Sequence, residues 1–175
     1  MNKASNIIGK PIITPSGEEL ETIDDMIFDP DTHRALCFLV ESGGWAGGAR
    51  ILPWSSELSI AVNAIIIASQ DQIVLASKIP HIRDILENEP LSTGKEIMAP
   101  DGRRIGVLSD VYFDRNTGKV KGYEVTRVTR KTDAGHDIVL TPEEVDFTVG
   151  DNHVLLVSPA TAERIEAYSY DGTAN

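Results

Sequence analysis

The side chains best suited to bind a metal ion form one acidic group, Asp24, Asp25, Asp29 and Asp31. Calcium-binding loops need oxygen ligands at fixed spacing that end in a bidentate acidic residue, and this group does not follow the EF-hand spacing. Two of the four aspartates recur at equivalent places later in the chain. This recurrence favours structural roles in turns and at strand ends, with weak binding of a divalent cation as the alternative.

The remaining reactive residue types lack the spacing of a catalytic or metal site. A lone cysteine, Cys37, lies in an apolar run, whereas a reactive thiol needs a neighbouring base and exposure to solvent. The sequence contains neither a Gly-x-Ser-x-Gly nucleophile elbow nor a phosphate-binding loop. No histidine has a second His or Cys at ligand spacing; the four are His33, His81, His136 and His153. We therefore expect no catalytic residue, no metal site and no cofactor, and we expect that the protein is not an enzyme.

The candidate binding residues lie in two loops. Trp45 stands between glycine pairs that include Gly44 and Gly47, and local structure alone can hardly bury a tryptophan in such a setting. Because tryptophan is common among the residues that dominate binding interfaces, a contact of Trp45 with a partner or a second subunit is the functional hypothesis. The interpretation that Trp45 folds back onto its own domain or onto Trp54, which we expect to be half-buried at a strand end, is preferred over it.

The second candidate loop carries basic residues, among them Arg130 and Lys131. They belong to a local positive cluster in an otherwise acidic chain, and the interpretation as a solvated hairpin is preferred over a binding patch. The cluster consists of Lys119, Lys121, Arg127, Arg130 and Lys131.

These loops belong to two copies of one unit, because residues 9–40 align without a gap onto residues 94–125. Ten of those 32 positions are identical, and the shared residues are turn and core types. A repeat of this length indicates two small domains rather than a short-period solenoid. The two loops, 42–50 and 129–137, are where the copies diverge most.

The repeated turns follow known turn chemistry. Proline, then serine or aspartate, then glycine predicts a tight turn in each copy, because glycine adopts positive φ readily. A later turn begins with aspartate and closes on a left-handed residue, which is glycine in the second copy and the less favourable His33 in the first. The structural turn residues are Gly17, Asp29, Gly102, Asp114 and Gly118.

Short apolar strands between these turns predict a mainly β protein made of two tandem small antiparallel β-barrels. The first barrel covers residues 1–79 and the second 93–158. A linker at 80–92 has the apolar spacing of a short helix. Residues 159–175 follow as a C-terminal helix, which begins at a Ser-Pro cap, and a disordered tail.

The formal net charge of −11 is spread over both copies. Such a surface repels phosphate backbones and anionic lipid, so binding to nucleic acid is not expected. A single cysteine allows no internal disulfide, and no apolar stretch approaches the length that spans a bilayer. We expect a cytoplasmic protein without membrane insertion, which could reach a membrane only through a protein.

The repeated motifs, above all Gly106-Val-Leu-Ser-Asp110 leading to Phe113-Asp114 and then Thr117-Gly118-Lys119, resemble those of the PRC-barrel family. That family includes the cytoplasmic domain of the photosynthetic reaction-centre H subunit and the C-terminal domain of the ribosome-maturation factor. The resemblance implies a protein-interaction or assembly module, with an unidentified protein partner or a second copy as a homodimer, in association with photosynthetic membrane complexes. The alternatives are a ribosome-assembly or RNA-processing accessory and small-molecule binding in the cleft between the barrels.

Overall fold

The computed structural model describes residues 1–41, 48–55, 57–88, 90–127, 137–150 and 154–167. Short β-strands dominate this part of the chain, together with the two helices that the sequence predicts. The first repeat contains β1 (Asn2–Lys3), β2 (Pro11–Ile13), β3 (Glu19–Thr22), β4 (Asp25–Asp29), β5 (Arg34–Glu41), β6 (Arg50–Pro53), β7 (Ser59–Ile60), β8 (Ile65–Ile66) and β9 (Val74–Leu75). Helix α1 (Pro80–Asn88) follows. The second repeat contains β10 (Glu96–Met98), β11 (Arg104–Phe113), β12 (Val120–Arg127), β13 (Asp137–Leu140), β14 (Phe147–Val149), β15 (Leu155–Val157) and helix α2 (Pro159–Ala167).

The described strands form three sheets. In the first repeat, one sheet has the order β3-β2-β8-β7 and another the order β4-β5-β6-β9. In the second repeat the corresponding strands join into one sheet of order β13-β12-β11-β10-β15-β14, and β1 also pairs with β11. Most neighbours are antiparallel, whereas β2 with β8 and β10 with β15 are parallel.

The sequence predicts one strand from Leu20 to Phe28, but the structure divides it into β3 and β4. The strand is interrupted at Ile23 and Asp24, although the Ile23 N–H still donates to the Lys10 carbonyl at 2.9 Å. The same bond joins Leu108 to Lys95 at 2.9 Å in the second repeat, where β11 continues with a register shift after Leu108. Both copies are therefore irregular at the same place, and only the continuity of the strand differs.

A single hydrophobic core extends through both repeats. Its centre is a pair of equivalent phenylalanines, Phe28 and Phe113, which are fully buried with ring centroids 5.9 Å apart. A second, smaller cluster lies on the other side of the β4-β5-β6 sheet, where Ile82 and Leu86 of α1 cover it. The two repeats therefore share one core, in which their equivalent phenylalanines contact each other.

An approximate two-fold axis relates the repeats and passes between β5 and β12. Arg34 and its equivalent Lys119 form an antiparallel bridge there. On one side, the Ala35 N–H donates to the Gly118 carbonyl at 2.8 Å. On the other side, the Val120 N–H donates to the His33 carbonyl at 2.9 Å. Because these residues occupy equivalent repeat positions, the two bonds are reciprocal, and the turns that follow Asp29 and Asp114 meet at the axis.

Two segments are exchanged between the repeats: residues 2–6 at the start of the first repeat, and residues 90–92 just before the second. We call them the lead segments. The first lead segment pairs with the second repeat, since Asn2 lies opposite Phe113 in the β1–β11 ladder. The second lead segment pairs with the first repeat, since the Phe28 N–H donates to the Leu91 carbonyl at 2.8 Å. Leu91, which the sequence assigns to a linker, is fully buried.

Candidate interaction surface

Five residues predicted to bind a partner lie outside the described part of the chain: Trp45, Gly44, Gly47, Arg130 and Lys131. The structure does describe the strands that flank their loops. Strands β5 and β12 begin at the axis and run antiparallel away from it. Each spans eight residues, or about 25 Å at the usual rise per residue. The strand ends that flank the two loops therefore lie on opposite sides of the axis.

The predicted turn residues adopt the turn geometry that their types suggest. Gly17 and Gly102 have φ values of 87° and 83°, and Gly118 has φ 70°. Asp29 Oδ1 accepts the N–H groups two and three residues later, at 2.9 and 3.3 Å. Asp114 does the same at 2.9 Å for both. These aspartate oxygens are thus occupied by their own turns.

Gly118 has a second role that the sequence does not show. A Cβ atom there would lie 2.7 Å from Nε1 of Trp54, so the indole lies directly against the glycine. Trp54 is half-buried at the end of β6, and its ring contacts Phe113 across the repeats, with ring centroids 5.8 Å apart. Glycine at this position therefore serves both the turn and the contact between repeats.

The first repeat has His33 where the second has Gly118. His33 adopts the left-handed conformation expected of this turn, with φ 51°. Its Nδ1 lies 2.7 Å from the hydroxyl of Tyr123 on the second repeat. Burial lowers the pKa of His33, opposed by the nearby carboxylate of Glu143, and burial raises the pKa of Tyr123. Because Tyr123 has no exposed surface, this pair joins the repeats and offers no open reaction site.

Two equivalent aspartates join the lead segments to the opposite repeats. Asp110 is buried and accepts hydrogen bonds from the N–H of Ser5, at 3.1 Å, and from its hydroxyl. Its equivalent Asp25 forms a side-chain hydrogen bond with Ser92. Burial raises the pKa of Asp25, while its hydrogen bonds with the Met26 N–H and Ser92 oppose that shift. This pattern of one aspartate with one serine from the other repeat was not predicted, because Ser5 and Ser92 have no distinctive sequence context.

The first lead segment also forms a surface ion pair. Lys3 Nζ lies 2.8 Å from Glu124 Oε2 and 5.0 Å from the centroid of the Tyr112 ring. The Tyr112 hydroxyl donates to the same Glu124 oxygen at 2.6 Å. Partial burial opposes ionisation of Glu124, but the hydrogen bonds from Lys3 and Tyr112 hold its pKa below the ordinary value. Glu124 is therefore a charged, bonded side chain on the outer side of β12.

The outer faces of the two equivalent sheets differ in what covers them. In the first repeat, the outer face is apolar and lies under α1; its members are Ile27, Leu36, Cys37, Leu39 and Ile51. The same positions of the second repeat are Tyr112, Lys121, Gly122, Glu124 and Val139. The last equivalence follows from register, since Leu39 lies opposite Ile51 and Glu124 lies opposite Val139. A comparison of the two copies at these alternating positions could have revealed this difference from sequence.

Comparison with known proteins agrees with this architecture of two equivalent units. The model of the PRC-barrel domain matches residues 1–73 and again residues 93–163. The chain belongs to the PRC-barrel domain family. Its two PRC-barrel domains coincide with the two structural repeats, and the second match extends into α2. A search of curated proteins found no significant match.

Among the described residues of this tandem PRC-barrel protein, no three His, Cys, Asp or Glu side chains are grouped so that they could hold a metal ion. Within the same residues, neither helix has the length and apolar character needed to cross a bilayer.

Proposed function

We propose that this tandem PRC-barrel protein is a non-enzymatic protein-interaction module. The observation that carries the proposal is a set of three polar pairs, each with one buried member, that join the two repeats. His33 with Tyr123, Asp25 with Ser92, and Asp110 with Ser5 each join one repeat to the other. These polar groups already bond one another across the repeats, whereas catalytic groups must be able to reach a substrate. The contacts therefore favour a rigid scaffold over an enzyme.

The proposal extends to the form and location of the scaffold. We propose that each repeat forms one small barrel, with the irregularities at Ile23 and Leu108 as the corners that turn the strand from one side to the other. We also propose a cytoplasmic location, because a lone unpaired thiol such as Cys37 suits a reducing compartment. The proposed partner class is a subunit of a membrane complex of the photosynthetic reaction-centre type, which the protein would approach from the aqueous side.

Affinity capture from the native host tests this proposal. The tagged full-length protein is gently crosslinked, and membrane and soluble fractions are analysed separately. We expect one membrane-complex subunit to be enriched in stoichiometric amount. Enrichment of ribosomal proteins would instead assign the protein to ribosome assembly, and the absence of any stoichiometric protein would contradict an interaction module.

The two divergent loops provide matched variants for the same capture. Trp45→Ala changes the first loop, and a double variant, Arg130→Ala with Lys131→Ala, changes the second. Because the flanking strand ends lie on opposite sides of the axis, we expect one variant to lose the partner while the other keeps it. Retention of the partner by both variants would exclude these loops as the contact.

A further inference from the structure

One continuous segment of the first repeat covers both an edge and a face of its sheet. Strand β9 pairs with the edge strand β6, with Ile51 opposite Val74. Helix α1 then places Ile82 and Leu86 over the outer face. As a result, Ile51 has no exposed surface. The first repeat thus shows how this sheet accepts a strand and an apolar cover.

The equivalent place in the second repeat lacks this cover among the described residues. There, β13 pairs with β12 and with no other described strand. Helix α2 occupies the part of the chain that corresponds to β9, but its Ala162 and Ile165 enter the common core instead. The part that corresponds to α1 lies outside the described residues. Val139, the equivalent of Ile51, is consequently 49% exposed. Unpaired N–H and C=O groups on such an edge strand are a template for another strand.

The exposed outer face has a small apolar strip beside that edge. A Cβ atom at Gly122 would lie 2.8 Å from Cγ1 of Val139 and 3.9 Å from Cδ2 of Tyr112, so these side chains meet over the glycine. Glu124 beside them is already bonded to Lys3 and Tyr112. An apolar side chain from an added strand could therefore cover Val139 and the Tyr112 ring without burying an unpaired carboxylate.

We propose that β13 binds an extended segment of a partner protein as an additional antiparallel strand, whose apolar side chain covers Val139 and Tyr112. This inference rests on the proposed interaction function and gives it a site. The backbone supplies affinity in such strand addition, and alternate side chains supply specificity. The net charge of −11 opposes close approach of a second copy, which favours a different protein as the source of the strand.

Selection of peptides on the intact protein tests the site. A displayed library of extended twelve-residue peptides is selected against the full chain, and the affinity of each selected peptide is measured in solution. We expect selected peptides to bind Val139→Lys about tenfold more weakly than wild type, because an added charge blocks pairing at an edge. Val62→Lys is the matched control, since Val62 is 79% exposed elsewhere, and it should bind as wild type does.

Hydrogen exchange measured with and without peptide locates the added strand. Protection should appear in residues 137–140 and be lost in Val139→Lys. Val139→Thr keeps a β-branched side chain and is the control for a folding defect. It should weaken peptide binding less than Val139→Lys does. Equal affinity for all variants, protection confined to other strands, or failure to select any peptide would overturn the proposal.

Two further outcomes would assign the edge to another occupant. A dimer of the wild-type protein that Val139→Lys dissociates, measured by sedimentation, would show that a second copy covers β13. Removal of residues 168–175 that newly allows peptide binding would show that the chain's own C-terminal residues cover it. If the host partner of the capture experiment still binds Val139→Lys, the interaction function stands and this site is wrong. If wild type captures no partner, the function itself fails.

Discussion

Replacing Gly118 by alanine tests whether the two repeats meet as described. A residue with a side chain in the left-handed conformation costs about 1–2 kcal/mol, and Gly118 has φ 70°. The new Cβ would also lie 2.7 Å from Nε1 and 2.8 Å from Cε2 of Trp54. Overpacking of this kind typically costs about 1–3 kcal/mol. We therefore expect Gly118→Ala to lower the free energy of unfolding by about 2–5 kcal/mol.

Gly102→Ala is the matched control for the backbone contribution. Gly102 has φ 83°, and a Cβ there would meet no heavy atom within 4 Å. Gly102→Ala should therefore lower the free energy of unfolding by only about 1–2 kcal/mol. Equilibrium unfolding in urea measures both variants. Equal losses would refute the contact between Trp54 and Gly118, because only that contact distinguishes the two sites.

A double-mutant cycle isolates the contact further. Trp54→Phe removes the indole nitrogen that lies closest to Gly118. In that background, Gly118→Ala should cost less than it does in wild type. We expect a coupling free energy of about 1–3 kcal/mol. If the two variants lower the free energy of unfolding additively, the alanine at position 118 does not contact Trp54.

Three further predictions concern His33, the contact between Ser5 and Asp110, and Cys37. Burial lowers the pKa of His33 from its ordinary 6.5, so the unfolded chain binds the proton more tightly and stability should fall as pH drops below about 6.5. His33→Asn, which tolerates the left-handed turn, should remove that part of the pH dependence in urea titrations at pH 5–8; an unchanged pH profile would contradict it. Ser5→Ala leaves the buried Asp110 carboxylate without its serine hydroxyl and should cost about 1–3 kcal/mol, lowering the midpoint of a single unfolding transition; two separate transitions would be evidence against exchanged lead segments. Burial raises the pKa of the Cys37 thiol to about 12, so labelling of the thiol at pH 8 should proceed only through opening of the structure and accelerate with urea, whereas fast labelling without urea would place Cys37 at the surface.

The repeated motifs predicted the family and the mainly β fold, whereas the apolar spacing of the linker and the Ser-Pro cap predicted the two helices. Turn, core and cap residues carry strong local patterns. Glycines such as Gly118 reveal a turn, since few other residues adopt positive φ. The exchange of lead segments could not be predicted in this way. A strand as short as Asn2–Lys3 has too little alternation to indicate its pairing partner, and only tertiary structure decides which repeat it joins.

The candidate site was predicted only in part. Trp45 and the basic pair Arg130 and Lys131 were chosen for their residue types, and they stay predictions because their loops lie outside the described residues. The exposed Val139 was missed because a valine in an alternating strand has the same pattern whether or not another strand covers it. Only the comparison with its covered equivalent, Ile51, distinguishes the two.

The exchanged lead segments have a consequence for assembly. A single repeat on its own could form the Asp–Ser contact only by accepting the lead segment of another molecule, as in a domain-swapped homodimer. Because both repeats lie on one chain, their exchange is independent of protein concentration. If the two repeats were expressed as separate chains, the exchange would depend on protein concentration. Fragments 1–88 and 89–175 would then act as two halves of a complementation pair, each incomplete until mixed with the other.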